Sequence, residues 1–140
     1  MKIFLTPPNE IDSLWSEVAP LIDKAFDHTQ HDIDADSVKE ALKNSGLFLW
    51  IVIDNIDIES ILICSLLDYR RTRTCFIDAW STKSGHEFNK YYQFTLDEIE
   101  NFAKINGCDF LESRVRKGLA EKLTKHGWKD THSWITKSLL

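Results

Sequence analysis

From Ile11 to Phe26, the apolar residues Ile11, Leu14, Trp15, Val18, Leu21, Ile22, Ala25 and Phe26 recur at three- and four-residue spacing. That spacing predicts a helix with one buried stripe. Pro20 falls inside it and is expected to kink the helix or split it in two. Before it, Lys2 to Leu5 reads as a short strand closed by Pro7-Pro8. After it, Asp34 or Asp36 can cap a second helix that uses Val38, Ala41 and Leu42 and stops at Asn44-Ser45-Gly46.

The period then changes. Leu47 to Asp54 is rich in branched and aromatic residues, Asn55-Ile56-Asp57 makes a turn, and Glu59 to Tyr69 returns as a second strand of a hairpin. Arg73 to Ser81 follows as a third strand. Ser84-Gly85-His86-Glu87 has the form of a capping box. The long helix it opens shows Phe88, Tyr92, Leu96, Ile99, Phe102 and Ala103 on one face and ends at Asn106-Gly107. Asp109 to Val115 is a further strand, Gly118 to His126 a short helix capped by Gly127, and Trp128 onward a closing strand. The order β-α-α-β-β-β-α-β-α-β makes an α+β fold, one mixed sheet with helices on both faces.

Composition changes little in this picture. The 140 residues are 43% hydrophobic and 28% charged, which is globular, and form a single domain spanning 1–140. The longest apolar runs, Leu47 to Ile53 and Ile61 to Cys64, are too short to span a bilayer, and the N-terminus has no signal-peptide pattern.

Charge adds more. Residues 1–69 carry 13 acids and 4 bases, net −9, whereas residues 70–140 carry 9 acids and 13 bases, net +4. Arg70, Arg71 and Arg73 precede the third strand, and Arg114 and Arg116 end a later one. The direction of those strands decides whether they form one patch. The overall −5 has the wrong sign for general nucleic-acid binding.

Cys64, Cys75 and Cys108 are widely spaced, in apolar contexts, and read as buried thiols of a reducing compartment. His28 and His31 could ligate a metal in principle, but the segment reads as a solvated connection. Trp15, Trp50 and Trp80 fall at core positions, while Trp128 and Trp134 lie in the C-terminal part, where an edge could present them to a partner.

Four short pieces stand in order along the chain: Leu49-Trp50, Ala103-Lys104-Ile105-Asn106-Gly107-Cys108, Arg116-Lys117-Gly118 and Gly127-Trp128. With the element order, they resemble the GNAT superfamily of acyl-CoA N-acyltransferases, and most closely the small GNAT-like proteins of tailed bacteriophages and prophages. The resemblance implies a GNAT-like, mostly antiparallel sheet flanked by helices. It also implies a cytoplasmic protein of a bacterial host, or one associated with a virion.

The resemblance implies a cofactor site where the third strand enters the long helix, since free helix-start amides attract a pyrophosphate. The family pattern there is Arg or Gln, two residues, Gly, one residue, then Gly or Ala. This chain has Ser81-Thr82-Lys83-Ser84-Gly85-His86-Glu87-Phe88, so Lys83, Ser84, Gly85 and His86 are the candidate cofactor residues. Glu87 would occupy amides the phosphates need. The family's tyrosine acid, four residues before the late glycine, is Leu123 here, and Tyr91 and Tyr92 lie on the long helix, elsewhere in the fold.

Asp78 is the candidate base. Regular alternation puts Phe76, Asp78 and Trp80 on one face of its strand, and Cys75, Ile77 and Ala79 on the other. A carboxylate between two aromatics has its pKa raised by desolvation, although a buried acid is more often simply paired.

These departures favour a GNAT-fold protein that has lost acyl-CoA chemistry. It would use no cofactor and act as an accessory or virion-associated module that binds a protein partner, a homo-oligomer included. The alternative is an active, divergent N-acetyltransferase using acetyl-CoA at Lys83 and Gly85, with Asp78 as base.

Overall fold

Period-two and period-3.6 segments alternate along the chain as the apolar pattern predicts, and they assemble around one sheet. The computed structural model describes residues 1–27, 33–84, 88–115, 117–133 and 135–140. Its strands are β1 (Lys2–Leu5), β2 (Phe48–Asp54), β3 (Asp57–Asp68), β4 (Arg73–Thr82) and β5 (Phe110–Ser113). Its helices are α1 (Ile11–Phe26), α2 (Ala35–Lys43), α3 (Phe88–Ile105) and α4 (Lys117–Thr124), with a 3-10 turn at Pro8–Glu10. The five strands lie side by side in chain order. β1 to β4 pair antiparallel, and β5 joins β4 in parallel.

Each face of the sheet carries its own core. On one, α1 and α2 bring Val18, Leu21, Ile22 and Leu42 against Leu49, Ile51, Ile61 and Ile63. On the other, α3 and α4 bring Tyr92, Leu96, Ile99 and Leu123 against Trp50, Leu62, Cys64, Cys75 and Ile77. β2 and β3 are buried on both sides, which is why they read as nearly unbroken apolar runs. The thiols of Cys64 and Cys75 are buried and free, and Cys108 is half-buried.

Local signals account for most element ends. Asp34 is the cap of α2: its carboxylate accepts from the Ser37 amide while the Ser37 hydroxyl accepts from the Asp34 amide. Ser45, Gly107 and Gly127 take left-handed backbone after α2, α3 and α4. The start of α3 is anchored by Lys90, whose ammonium meets Asp54 at 2.7 Å, with the Tyr91 hydroxyl donating to the same carboxylate. That contact with Lys90 holds the Asp54 carboxyl below its usual range.

Two expectations fail. Of the two outcomes expected at Pro20, the split does not occur: α1 runs unbroken from Ile11 to Phe26. Pro20 lies on the exposed face, so the carbonyl of Ser16 that loses its helical donor is open to water, while Val18, Leu21 and Ile22 hold the buried side. The closing strand is not formed either: among the described residues from Trp128 to Leu140 none is a strand. Trp128 is partly buried against the α3 core, but Ile135, Leu139 and Leu140 are exposed. A strand-like sequence needs a paired edge to become a strand, and among the described residues this segment pairs with none. Trp134 and the His28 to His31 segment lie outside the described residues.

If α1 carries Pro20 at a cost, removing it relieves that cost. Pro20→Ala should raise the unfolding free energy in urea by about 1–3 kcal/mol with an unchanged slope; a loss of stability would mean that the proline shapes the helix.

Candidate functional site

β4 and β3 stay in register from both ends until they reach Ile63 and Cys64. There Ile63 faces Ala79 and Cys64 faces Ile77, leaving Asp78 as an extra residue with no partner across the ladder. This is a β-bulge. It reverses which side chains face which way, so Ala79 joins the α1 core while Trp80 packs on the α3 core with Cys75 and Ile77. The regular alternation expected along this strand therefore holds only up to Ile77. Trp80 does not share a face with Phe76.

The same residue marks the end of β5. β4 pairs with β5 only from Thr74 to Ile77, opposite Phe110 to Ser113. Side-chain hydroxyls close both ends of this short ladder: Thr74 donates to the carbonyl of Phe110, and Ser113 donates to the carbonyl of Ile77. Beyond it the outer edge of β4, from Asp78 to Thr82, has no strand beside it among the described residues. Lys83 turns its amide inward to the carbonyl of Glu59, so alternation turns the peptide groups of Trp80 and Thr82 toward the open edge.

Asp78 sits at the mouth of this opening. Oδ2 of its carboxylate is buried and has no hydrogen-bond partner among the described residues. Burial pushes its pKa up; the Ser65 hydroxyl and the Arg114 guanidinium oppose this without cancelling it. Arg114 lies over the ring of Phe76 at 5.6 Å. The expected fate of a buried acid, full pairing, is thus met only in part.

At the other end of the open edge lie two lysines, Lys24 and Lys83. Lys24 of α1 donates to the carbonyl of Thr82 at 2.6 Å and reaches that of Lys83 at 3.4 Å. The Ser81 hydroxyl donates to the carbonyl of Leu21, so α1 is fastened to the end of β4 at two points. Lys83 is exposed and Ser84 half-buried, with the carbonyl of Ser84 accepting from the Thr82 hydroxyl. Gly85, His86 and Glu87, and with them the expected capping box, lie outside the described residues. Lys24 lies outside the apolar stripe of α1, and its local pattern carries no trace of β4.

Tyr92 is a correction. It lies on α3, yet its ring stacks on Trp80 with centroids 6.1 Å apart and the planes 18° from parallel. His126 meets its edge at 5.5 Å, and Lys122 of α4 lies 5.9 Å from its centroid. The phenol is therefore next to the open edge of β4, and burial raises its pKa. Leu123 is 3% exposed and packs in the α3 core.

The arginines do not merge. Arg73 opens β4, where it bonds the carbonyl of Asn106 and pairs with Asp68 at 3.1 Å. Arg114 follows β5 at the far end of the parallel pair, and Arg116 lies outside the described residues. Among the described residues no group of three or more His, Cys, Asp or Glu could hold a metal, and no helix is long and apolar enough to cross a membrane.

Solved structures share this architecture over almost their whole length. A predicted acetyltransferase from Clostridium acetobutylicum, solved with acetyl-CoA, superposes with a TM-score of 0.73 at 21% identity, covering 99% of this chain and 96% of that one. A ribosomal-protein-alanine N-acetyltransferase from Brucella melitensis gives 0.73 at 14% identity, covering 99% and 100%. A GNAT family acetyltransferase from Staphylococcus aureus gives 0.70 at 18%, also covering 99% and 100%. No protein-family model and no curated protein sequence matches the chain. The chain has the GNAT fold, with the mixed, mostly antiparallel sheet that the resemblance implied.

The raised pKa of Asp78 has a consequence for stability. Its proton is held more tightly in the folded chain than in the unfolded one, so its ionisation disfavours the fold as pH rises above the unfolded value of about 3.9. Asp78→Asn should therefore melt higher than the natural chain at pH 7, and the gap should close as pH falls toward about 4. A variant that melts lower at pH 7 would show the carboxylate to be a net stabilising partner of Arg114.

Proposed function

We propose that the protein is an acyl-CoA-dependent N-acyltransferase that uses the open edge of β4 as its acyl-donor cleft. The observation that carries this reading is the coincidence of three things at Asp78: the bulge, the end of β5, and a buried carboxylate oxygen without a partner. The donor set fits an acyl-CoA: the outward-turned backbone of β4 suits an amide-bearing chain, and Lys24 and Lys83 at the exit of β4 suit its phosphates. Acetyl-CoA, when bound, would supply a thioester-activated acetyl group.

The role of this chain's own residues follows. The Asp78 carboxylate would accept a proton from the acceptor amine; burial raises its pKa and with it its basicity, against the opposing pull of the Ser65 hydroxyl and the Arg114 guanidinium. Phe76 and Trp80 flank it on opposite faces of β4. Tyr92, held protonated by burial and stacked on Trp80, is the phenol nearest the cleft.

A second reading has its own observation. Leu123, at the place of the acid in the proteins this chain resembles, is sealed in the core. That favours a non-catalytic member acting as an accessory, phage or virion proteins included among its partners.

Calorimetric titration with acetyl-CoA separates the two. Under the first reading the chain binds with micromolar affinity, and Lys83→Glu weakens binding at least tenfold. Asp78→Asn leaves binding intact and lowers turnover, assayed as thiol release over an amine panel, by about 10²–10⁴-fold. A folded chain that does not bind millimolar acetyl-CoA overturns the first reading and leaves the second.

A further inference from the structure

α1 covers only part of its own face of the sheet. It packs on Ile61, Ile63 and Ala79 and is bonded to Ser81 and Thr82, all beyond the bulge, where β5 has ended. Alternation along β3 from Ile63 puts Ser65 and Leu67 on the same face, with their partners Phe76 and Thr74. β5 extends both pairs by one residue, Phe110 beside Thr74 and Glu112 beside Phe76. Before the bulge, this face therefore shows two rows across three strands. Asp78 follows at the inner end, where the Ser65 hydroxyl reaches its carboxyl.

None of Leu67, Phe76 and Phe110 belongs to either core. Leu67 is 37% exposed and Phe110 54%, so two large apolar side chains stand open on either side of Thr74. The charge beside them is accessible, because Glu112 is exposed as well. The described residues give its carboxylate no hydrogen bond and no ion pair. Arg114 lies over the Phe76 ring and acts on Asp78 instead. An open apolar strip bordered by a carboxylate is complementary to a cation that carries an apolar tail.

We infer that this strip seats the acceptor of the acyl-transfer reading, on which that role rests, and that the acceptor is a long primary amine with an apolar or aromatic tail. The tail lies on Leu67 and Phe110, and the amine passes Glu112 to reach Asp78, which is itself partly exposed. Register sets the length. Thr74, between Leu67 and Phe110, stands four residues before Asp78, about 13 Å at the rise of a strand. A ring on a butyl arm covers most of that span, and butylamine alone does not reach the tail end. A carboxylate or phosphate in the tail meets Glu112 and is repelled. In the transfer the N–C bond forms as the thioester C–S bond breaks. One ammonium proton passes to Asp78 and on to water, and a second ends on the departing thiolate.

Three probes separate tail from charge in an amide-resolved NMR titration of the full chain: 4-phenylbutylamine, 4-phenyl-1-butanol and n-butylamine. The aromatic amine should shift the amides of Leu67, Thr74, Phe110 and Glu112 in a saturable manner at millimolar concentration, and n-butylamine should not. Glu112→Gln should weaken the aromatic amine about twofold to fivefold and leave the alcohol unchanged. Phe110→Ala should weaken both about threefold to tenfold, and Leu67→Ser serves if that variant does not fold. With saturating acetyl-CoA, kcat/KM for 4-phenylbutylamine should exceed that for n-butylamine by about tenfold or more. Phe110→Ala should lower it through KM, with kcat and acetyl-CoA binding unchanged. Absent shifts, shifts confined to other elements, or shifts that follow protein concentration, as a second copy on the strip gives, overturn the proposal. Equal turnover of both amines also overturns it and leaves acyl transfer standing. A chain that seats the aromatic amine here but does not bind acetyl-CoA loses the acyl-transfer reading and keeps the strip as an amine site.

Discussion

One inserted residue sets the geometry on which the opened half of the sheet depends. With Asp78 spliced into β4, the strand keeps its ladder with β3 but changes the hand of its side chains, so one strand feeds Cys75 and Ile77 to the α3 core and Ala79 to the α1 core. A bulge also adds local twist. Here the twist comes where β5 leaves, and the edge of β4 is uncovered between its last pair at Ile77 and the lysines at its end. Shortening β4 by that residue would restore regular alternation and remove the reason for the two strands to part.

The two cores bear on this opening differently. α1 is tied to the end of β4 by Ser81 and Lys24, which fixes the exit of the strand as firmly as the ladder fixes its start. On the other face, Trp80, Tyr92 and His126 form a continuous aromatic contact from the edge of β4 to the turn after α4. A change in α4 can thus be felt at β4 through packed rings. The −9 and +4 halves of the sequence meet across the sheet, and the basic half supplies Lys83 and Arg114 at opposite ends of the uncovered edge.

Much of this was legible in the residues. The stripe from Ile11 to Phe26, the branched runs of β2 and β3, the cap at Asp34 and the left-handed glycines after α3 and α4 are local signals, and each lies where it was expected. What was not legible depends on partners far along the chain. A bulge at Asp78 has no sequence signature of its own, because it arises from the register of β3 against β4. Tyr92 reaches Trp80 only after α3 folds back over the sheet, and Lys24 reaches Thr82 only once α1 crosses β4. The segment after Trp128 shows the reverse case, where local strand propensity is present and the described residues pair with no strand.

The buried thiols have a use that follows from their position alone. Cys64 and Cys75 lie diagonally across the β3–β4 ladder in the same core, fully enclosed, and the Cys75 thiol together with burial pushes the Cys64 pKa up. Cys108 is half-exposed at the start of the chain into β5. An alkylating reagent would meet these three sulfurs in a fixed sequence, the outer one first and the central pair only when β3 and β4 separate. The chain therefore carries a built-in clock for the opening of its own sheet, readable by mass as each thiol is capped.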